Sequence, residues 1–138
     1  MTGTFVDSSV WIDYFNDTLT VQARHLDEII GRVPLIIGDI VLFEVLQGFR
    51  DDKQYRTAER LLATLDQIDV VGRDVARKAA ENYRALRRRG VTIRRANDTL
   101  IATRCILNDY ELLHSDRDFH PFIEHLGLRS VFDIPQAH

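Results

Sequence analysis

Five acidic residues stand where a purely structural role explains them poorly. Asp7 directly follows the apolar run Thr4-Phe5-Val6. Glu44 interrupts Ile40-Val41-Leu42-Phe43-Glu44-Val45-Leu46, a stretch too apolar all round for a surface helix. Asp98 opens the apolar segment Thr99-Leu100-Ile101-Ala102, and Asp116 and Asp118 follow Leu112-Leu113. Each has a local alternative. Asp7 or Asp98 can cap a helix, Glu44 can sit at an edge, and one of the Asp116/Asp118 pair can cap the next helix. Asp118, nearer that helix, ranks below the other four. A carboxylate amid apolar neighbours is nonetheless rarely buried unless paired. Four of them within about 5 Å of one another repel by roughly 3 kcal/mol per pair at an effective dielectric of 20. Such a group must take up protons or a cation. An all-oxygen ligand set suits hard divalent ions, Mg²⁺ or Mn²⁺, one or two of them. Held by carboxylates, such an ion activates water and offsets the charge of a phosphate in attack.

A second feature concerns charge of the opposite sign. Between Glu81 and Asp98 lie Arg84, Arg87, Arg88, Arg89, Arg94 and Arg95, with no acid among them. Arginine outnumbers lysine 16 to 2 in the whole chain, which base composition of the gene explains equally well. The clustering is what matters: it fits contact with a polyanion or a solvated helix face. The net charge of −3 carries no nucleic-acid signal of its own.

These residues need elements to place them. Thr4-Phe5-Val6 and Leu35-Ile36-Ile37 read as short buried strands, as do Ile68 to Val71, Leu112-Leu113 and Arg129 to Val131. Between them fall helical segments: Ser9 as a cap and on to Phe15, Thr20 to Ile30, Ile40 to Phe49 after a capping Asp39, and a stretch opened by Asp51 and Asp52. Val75 to Arg89, Thr99 to Leu107 and Asp118 to Leu126 complete the set. Strands alternating with helices of this length predict an α/β fold, a three-layer α/β/α sandwich on a mostly parallel sheet. Ligands of such sheets gather outside the carboxyl ends of the strands, where these acids fall. Trp11, Tyr14 and Phe15 share helical spacing and are expected in packing, and Cys105 in the core.

Composition narrows the classes. The 138 residues are 45% hydrophobic and 28% charged, with 7 Gly and 3 Pro, which predicts one domain spanning 1–138 and argues against disorder. One cysteine makes no internal disulfide and no thiolate cluster. Met1-Thr2-Gly3-Thr4 shows no basic segment ahead of an apolar one, so no secretory signal is expected. The apolar region Pro34 to Leu46 falls short of the roughly 18–20 residues of a membrane span. A cytoplasmic protein without membrane contact is the expectation.

Taken in order, these segments resemble the motifs of the PIN-domain ribonucleases, in particular the VapC-type toxins of bacterial toxin–antitoxin pairs. Val6-Asp7-Ser8-Ser9-Val10-Trp11-Ile12 resembles the first motif, and Glu44-Val45-Leu46-Gln47-Gly48-Phe49-Arg50 the second. Asn97-Asp98-Thr99-Leu100-Ile101-Ala102 and Asp116-Arg117-Asp118-Phe119 resemble the third and fourth. The resemblance implies a PIN-like sandwich and a Mg²⁺- or Mn²⁺-dependent endoribonuclease. Asp7, Glu44, Asp98 and Asp116 are then the catalytic and metal-binding set. It further implies a homodimer and a cognate VapB-type antitoxin, with the helices near Val41 to Phe49 and Tyr55 to Leu65 forming the antitoxin's groove. Two residues before Asp116 the family usually carries Thr, whereas this chain has His114 beside Ser115. His114 is a candidate phosphate or proton partner, or simply the end of a strand. Ser9 is a candidate to orient a ligand carboxylate, as an alternative to capping. Arg84, Arg87, Arg88, Arg94 and Arg95 are the RNA-contact candidates.

Three other readings compete. A phosphoacceptor receiver domain needs an acidic pair after its first strand and a lysine after its fifth; only Asp7 is in the first place, and Lys53 and Lys78 lie in helical segments. A toprim-like metal-dependent enzyme shares the Asp116-x-Asp118 pair but places a Glu after the first strand. A non-catalytic PIN-fold interaction module would bind no divalent ion.

Overall fold

The computed structural model describes residues 3–132. Five strands form one parallel sheet in the order β3-β2-β1-β4-β5. They are β1 (Thr4–Val6), β2 (Leu35–Gly38), β3 (Asp66–Ile68), β4 (Glu111–Leu113) and β5 (Arg129–Ser130). Helices α1 (Ser8–Phe15) and α2 (Val21–Ile29) connect β1 to β2, and α3 (Asp39–Leu46) and α4 (Asp52–Leu62) connect β2 to β3. Helices α5 (Gly72–Arg88) and α6 (Ala96–Asn108) carry the chain back across to β4, and α7 (His120–Leu126) leads to β5 after a short 3₁₀ turn at Arg117–Phe119.

Right-handed crossovers fix which face each helix covers. The first two connections step one way along the sheet and the later ones step the other way. Helices α1 to α4 therefore cover one face and α5 to α7 the other. The packing agrees: α1 lies against α2 and α3, while α5 lies against α6 and α7. This is the α/β/α sandwich that the alternation of segments predicts. The central strands β1 and β2 are buried at every residue, as a sheet covered on both faces requires. Phe5, Val6, Ile36, Ile37, Leu112 and Leu113 form the middle of the core. Val10, Trp11, Leu26, Val41 and Leu62 pack in from α1 to α4, and Leu86, Ile101, Cys105 and Phe122 from α5 to α7.

Several boundaries differ from the sequence reading. The third strand is Asp66–Ile68, not Ile68 to Val71. As an edge strand it needs one hydrogen-bonded neighbour and no apolar run; Asp66 and Gln67 are exposed. Val70 and Val71 instead anchor the following loop. The Val70 amide donates to Asp39 Oδ1 (2.9 Å), and Arg104 on α6 donates to the carbonyls of Val70 (2.9 Å) and Val71 (2.8 Å). Ser9 does not cap α1. Asp7 does, accepting from the Ser9 amide, and Ser9 lies within the first turn. Asp39 is the first residue of α3 rather than its cap, which is Gly38. Helix α6 begins at Ala96, three residues earlier than Thr99, so Asp98 sits in its first turn.

Gly38 lies where β2 runs into α3 under the sheet's carboxyl edge. A Cβ there would stand 2.3 Å from Val70 Cγ2 and 3.0 Å from Phe5 Cζ, both buried. Substituting Gly38→Ala is expected to lower the unfolding free energy by about 1–3 kcal/mol, measured by urea denaturation. An unchanged midpoint would show that this corner is loosely packed.

Candidate metal centre

The strand order reverses between β1 and β4, because β1 is followed by a connection to one side and β4 is reached from the other. Connections leaving a parallel sheet in opposite directions open a crevice at that point. The Asp7 amide still donates to the Leu113 carbonyl (2.9 Å), so Asp7 is fastened at the mouth of the crevice. Helix α3 brings Glu44 from one layer and α6 brings Asp98 from the other. Asp116 and Asp118 follow β4.

The carboxylates share one pattern. Asp7 Oδ2 accepts from the Ser9 hydroxyl (2.8 Å) and amide (3.4 Å), while Oδ1 is buried without a partner. Glu44 Oε2 accepts from Asn97 Nδ2 (3.4 Å), while Oε1 is buried without a partner. Asp98 Oδ1 accepts from Arg95 Nη2 (3.3 Å), while Oδ2 is buried without a partner. Each acid is thus held by one oxygen and offers the other. Asp116 Oδ1 accepts from the Asp118 amide (2.9 Å). Asp98, Asp116 and Asp118 each place a carboxylate oxygen within 4.8 Å of the other two. Among the described residues Asp7 and Glu44 do not join that close group, and Asp7 acts on Asp98 through its charge.

Burial and repulsion act on these groups together. Asp7 is 1% exposed, and burial pushes its carboxyl up, opposed by the Ser9 hydrogen bonds and reinforced by Glu44. Asp98 is fully buried and is pushed up to about 6, mainly by burial, with Asp7 and Asp116 adding to the rise and Arg95 opposing it. Orphaned buried carboxylate oxygens from three elements, under mutual repulsion, are what a hard cation satisfies. The donor set therefore fits a divalent ion held by oxygen alone.

The other candidates fall into two groups. Arg94 pairs with Asp118 (3.2 Å) at the rim, and Arg95 reaches Asp98 and, at 4.0 Å, Glu44. Arg84, Arg87 and Arg88 lie near the end of α5 and make no ion pair with these acids among the described residues. His114 follows β4 and is buried. Its Nδ1 lies 3.0 Å from the Asp116 carbonyl and its Nε2 3.3 Å from Ser130 Oγ. Burial, with His120 beside it, lowers its pKa to about 4, so the ring is neutral, donates from Nδ1 and braces the Asp116 loop. Both ring nitrogens are engaged within the protein, which leaves neither for a phosphate. Ser9 takes the orienting role open to it. Sequence reasoning missed Asn97 as a partner of Glu44; the signal lay in its place next to Asp98, at the head of the third motif.

Comparison with known proteins bears on this geometry. Residues 4–122 match the family model described as PIN domain. Over 118 residues the chain is 36% identical to a VapC ribonuclease, Mb1587, of Mycobacterium bovis, covering 83% of this chain and 87% of that protein. The same figures hold for Ribonuclease VapC11 of Mycobacterium tuberculosis. Among solved structures, VapBC2 from Rickettsia felis bound to a promoter DNA fragment aligns at a TM-score of 0.72 and 19% identity, covering 92% of this chain and 96% of that one. DNA-bound VapBC from Salmonella typhimurium aligns at 0.71 and 16%, covering 94% and 97%. At these identities the structural likeness speaks for the fold.

Asp98 retains its proton to a higher pH when folded, near 6, than the 3.8 of an ordinary aspartate. Between those values the folded state binds more protons than the unfolded one, so this group lowers stability as pH rises from about 4 to 6. His114 acts with the opposite sign in nearly the same window. Its depressed pKa makes the unfolded state the better proton binder, so its contribution grows with pH. The difference between wild type and Asp98→Asn isolates the aspartate. Without divalent ions, the Asn variant is expected to gain on wild type as pH rises from 4 to 7, by about 3 °C or more in Tm. A pH-independent difference would show that the carboxyl is not strained by its surroundings.

Proposed function

The chain belongs to the PIN-domain family, and from that premise we propose that it is a metal-dependent endoribonuclease, the toxin of a toxin–antitoxin pair. The observation that carries the reading is the set of half-satisfied carboxylates. Asp7, Glu44 and Asp98 each keep one oxygen fixed and present another, buried and without a partner. With Asp116, and with Asp118 beside it, they would hold one or two Mg²⁺ or Mn²⁺ ions. Such an ion, when bound, lowers the pKa of a water and offsets the negative charge of the phosphate under in-line attack.

The chain's own residues do the positioning. Ser9 fixes the orientation of Asp7, Asn97 that of Glu44, and the His114 ring the loop that carries Asp116. Arg94, with its side chain 79% exposed, stands at the mouth where an RNA phosphate would enter. Arg84, Arg87 and Arg88 are exposed on α5 and would steer the strand. The reading also takes 1–138 as one PIN-like domain and the protein as a homodimer acting in the cytoplasm. No helix among the described residues is long and apolar enough to cross a membrane.

A VapB-type antitoxin is the proposed partner, supported by the VapBC complexes among the structural neighbours. A small hollow between α1 and the end of α3, lined by Ile12, Phe15, Val45 and Phe49, shares the Val41 to Phe49 segment with the groove expected for that partner but includes no residue of Tyr55 to Leu65.

Purified protein is expected to cleave total cellular RNA with Mn²⁺ or Mg²⁺ and to lose the activity in EDTA. Asp7→Asn and Asp98→Asn should each fold and reduce cleavage at least 100-fold, an effect of about 2.7 kcal/mol or more on the barrier. An active Asp98→Asn protein removes the site assignment, and preferential cleavage of DNA favours the toprim-like alternative. Replacing Arg84, Arg87 and Arg88 together by Gln is expected to weaken RNA binding. It should also flatten the salt dependence by about 0.7 in log–log slope for each phosphate no longer neutralised, read by fluorescence anisotropy. An unchanged slope assigns that helix face to solvent.

A further inference from the structure

One side chain in the crevice is not required to hold an ion. Arg95 is the residue before α6, and its guanidinium folds back over the first turn. Nη2 lies 3.3 Å from Asp98 Oδ1 and 4.0 Å from Glu44 Oε2, so a single cation joins acids carried by helices on opposite faces of the sheet. Its strongest electrostatic partner is Asp98, and Glu44, Asp116 and Asp7 also attract it. All four acids of the proposed centre thus act on one guanidinium. Arg94, next to it, pairs instead with Asp118 at the rim.

The fit of Arg95 to the acids is incomplete. The guanidinium reaches two carboxylates, those of Asp98 and Glu44, and Asp7 Oδ1, Glu44 Oε1 and Asp98 Oδ2 stay buried without partners. The guanidinium's one hydrogen bond among the described residues is to Asp98, and its side chain is 53% exposed. It is therefore tethered at one end of the cluster with open solvent behind it. A divalent ion brings twice the charge and a smaller radius to the same carboxylates, at the oxygens that Arg95 leaves free.

We propose that Arg95 is a built-in counter-cation of the acid cluster, seated on the carboxylates that would hold the divalent ion and opposing that ion through its charge. The inference rests on the metal-binding reading above. It makes metal loading the addition of a second cation next to a first. The guanidinium keeps the empty crevice from bearing its full negative charge, and its presence weakens the affinity for the ion.

The test is titration of Mn²⁺ into the full chain, followed by isothermal calorimetry, for wild type, Arg95→Gln and Arg95→Lys. Arg95→Gln should bind Mn²⁺ about tenfold more tightly, because a repelling charge next to the ion is gone. Arg95→Lys keeps the charge and should stay near wild type. Binding by Arg95→Gln alone, with none by wild type, also supports the inference. Affinity equal to or weaker than wild type in Arg95→Gln overturns the inference while leaving the metal-binding reading in place. Absence of binding in both wild type and Arg95→Gln overturns both. Arg95→Met, which keeps the alkyl stem, repeats the measurement should the Gln variant fail to fold.

Discussion

Negative charge confined in a desolvated crevice is the constraint around which this molecule is organised. Asp7 and Asp98 are among the most buried residues of the chain, at depths usually reserved for Leu and Val. Carboxylates at such depth raise the free energy of the fold unless something answers them. The chain supplies partial answers from close by: the Ser9 hydroxyl for Asp7, the Asn97 amide for Glu44, the Arg95 guanidinium for Asp98. None of them reaches both oxygens. The remaining deficit is what a small hard cation would satisfy, and it sets the proposed centre apart from an ordinary salt-bridged cluster.

The sheet makes that confinement possible. Parallel strands send their connections away from one edge, and the strand order reverses between β1 and β4, the point at which such sheets open a crevice. Glu44 and Asp98 enter it from opposite layers, so neither position has meaning without the other. Gly38 shows how tight the arrangement is beneath the edge, since β2 turns into α3 against Phe5 and Val70 with no room for a Cβ.

Much of this was legible in the amino-acid sequence because the acids break apolar runs. Glu44 within Ile40 to Leu46 and Asp7 after Phe5-Val6 are interruptions that hydrophobic periodicity cannot explain. The sandwich followed from alternation alone. What escaped was whatever depends on three-dimensional neighbours. Val70 and Val71 have strand-like side chains, yet their backbone groups are taken by Asp39 and Arg104, and the strand lies earlier at more polar residues. Ser9 and Asp7 are both good capping residues, and only the bend after β1 decides between them. Arg95 read as one of a run of arginines. Its folding back onto Asp98 and Glu44 is invisible without the α3 helix in place. Asp118 ranked low by nearness to a helix, but a 3₁₀ turn, not α7, takes up that segment and turns its carboxylate toward Asp98 and Asp116.

Arg104 ties helix to loop in a way that reaches beyond local packing. Its guanidinium grips two successive carbonyls of the loop after β3 and lies 3.6 Å from Asp74 at the start of α5. Toward the amino end of the same helix stands Asp98. The rod that carries the deepest carboxylate is therefore moored to the far side of the sheet, past the switch point. The sheet's periphery and its acidic crevice share a single helix as their lever, so the β3 edge and Asp98 are mechanically joined.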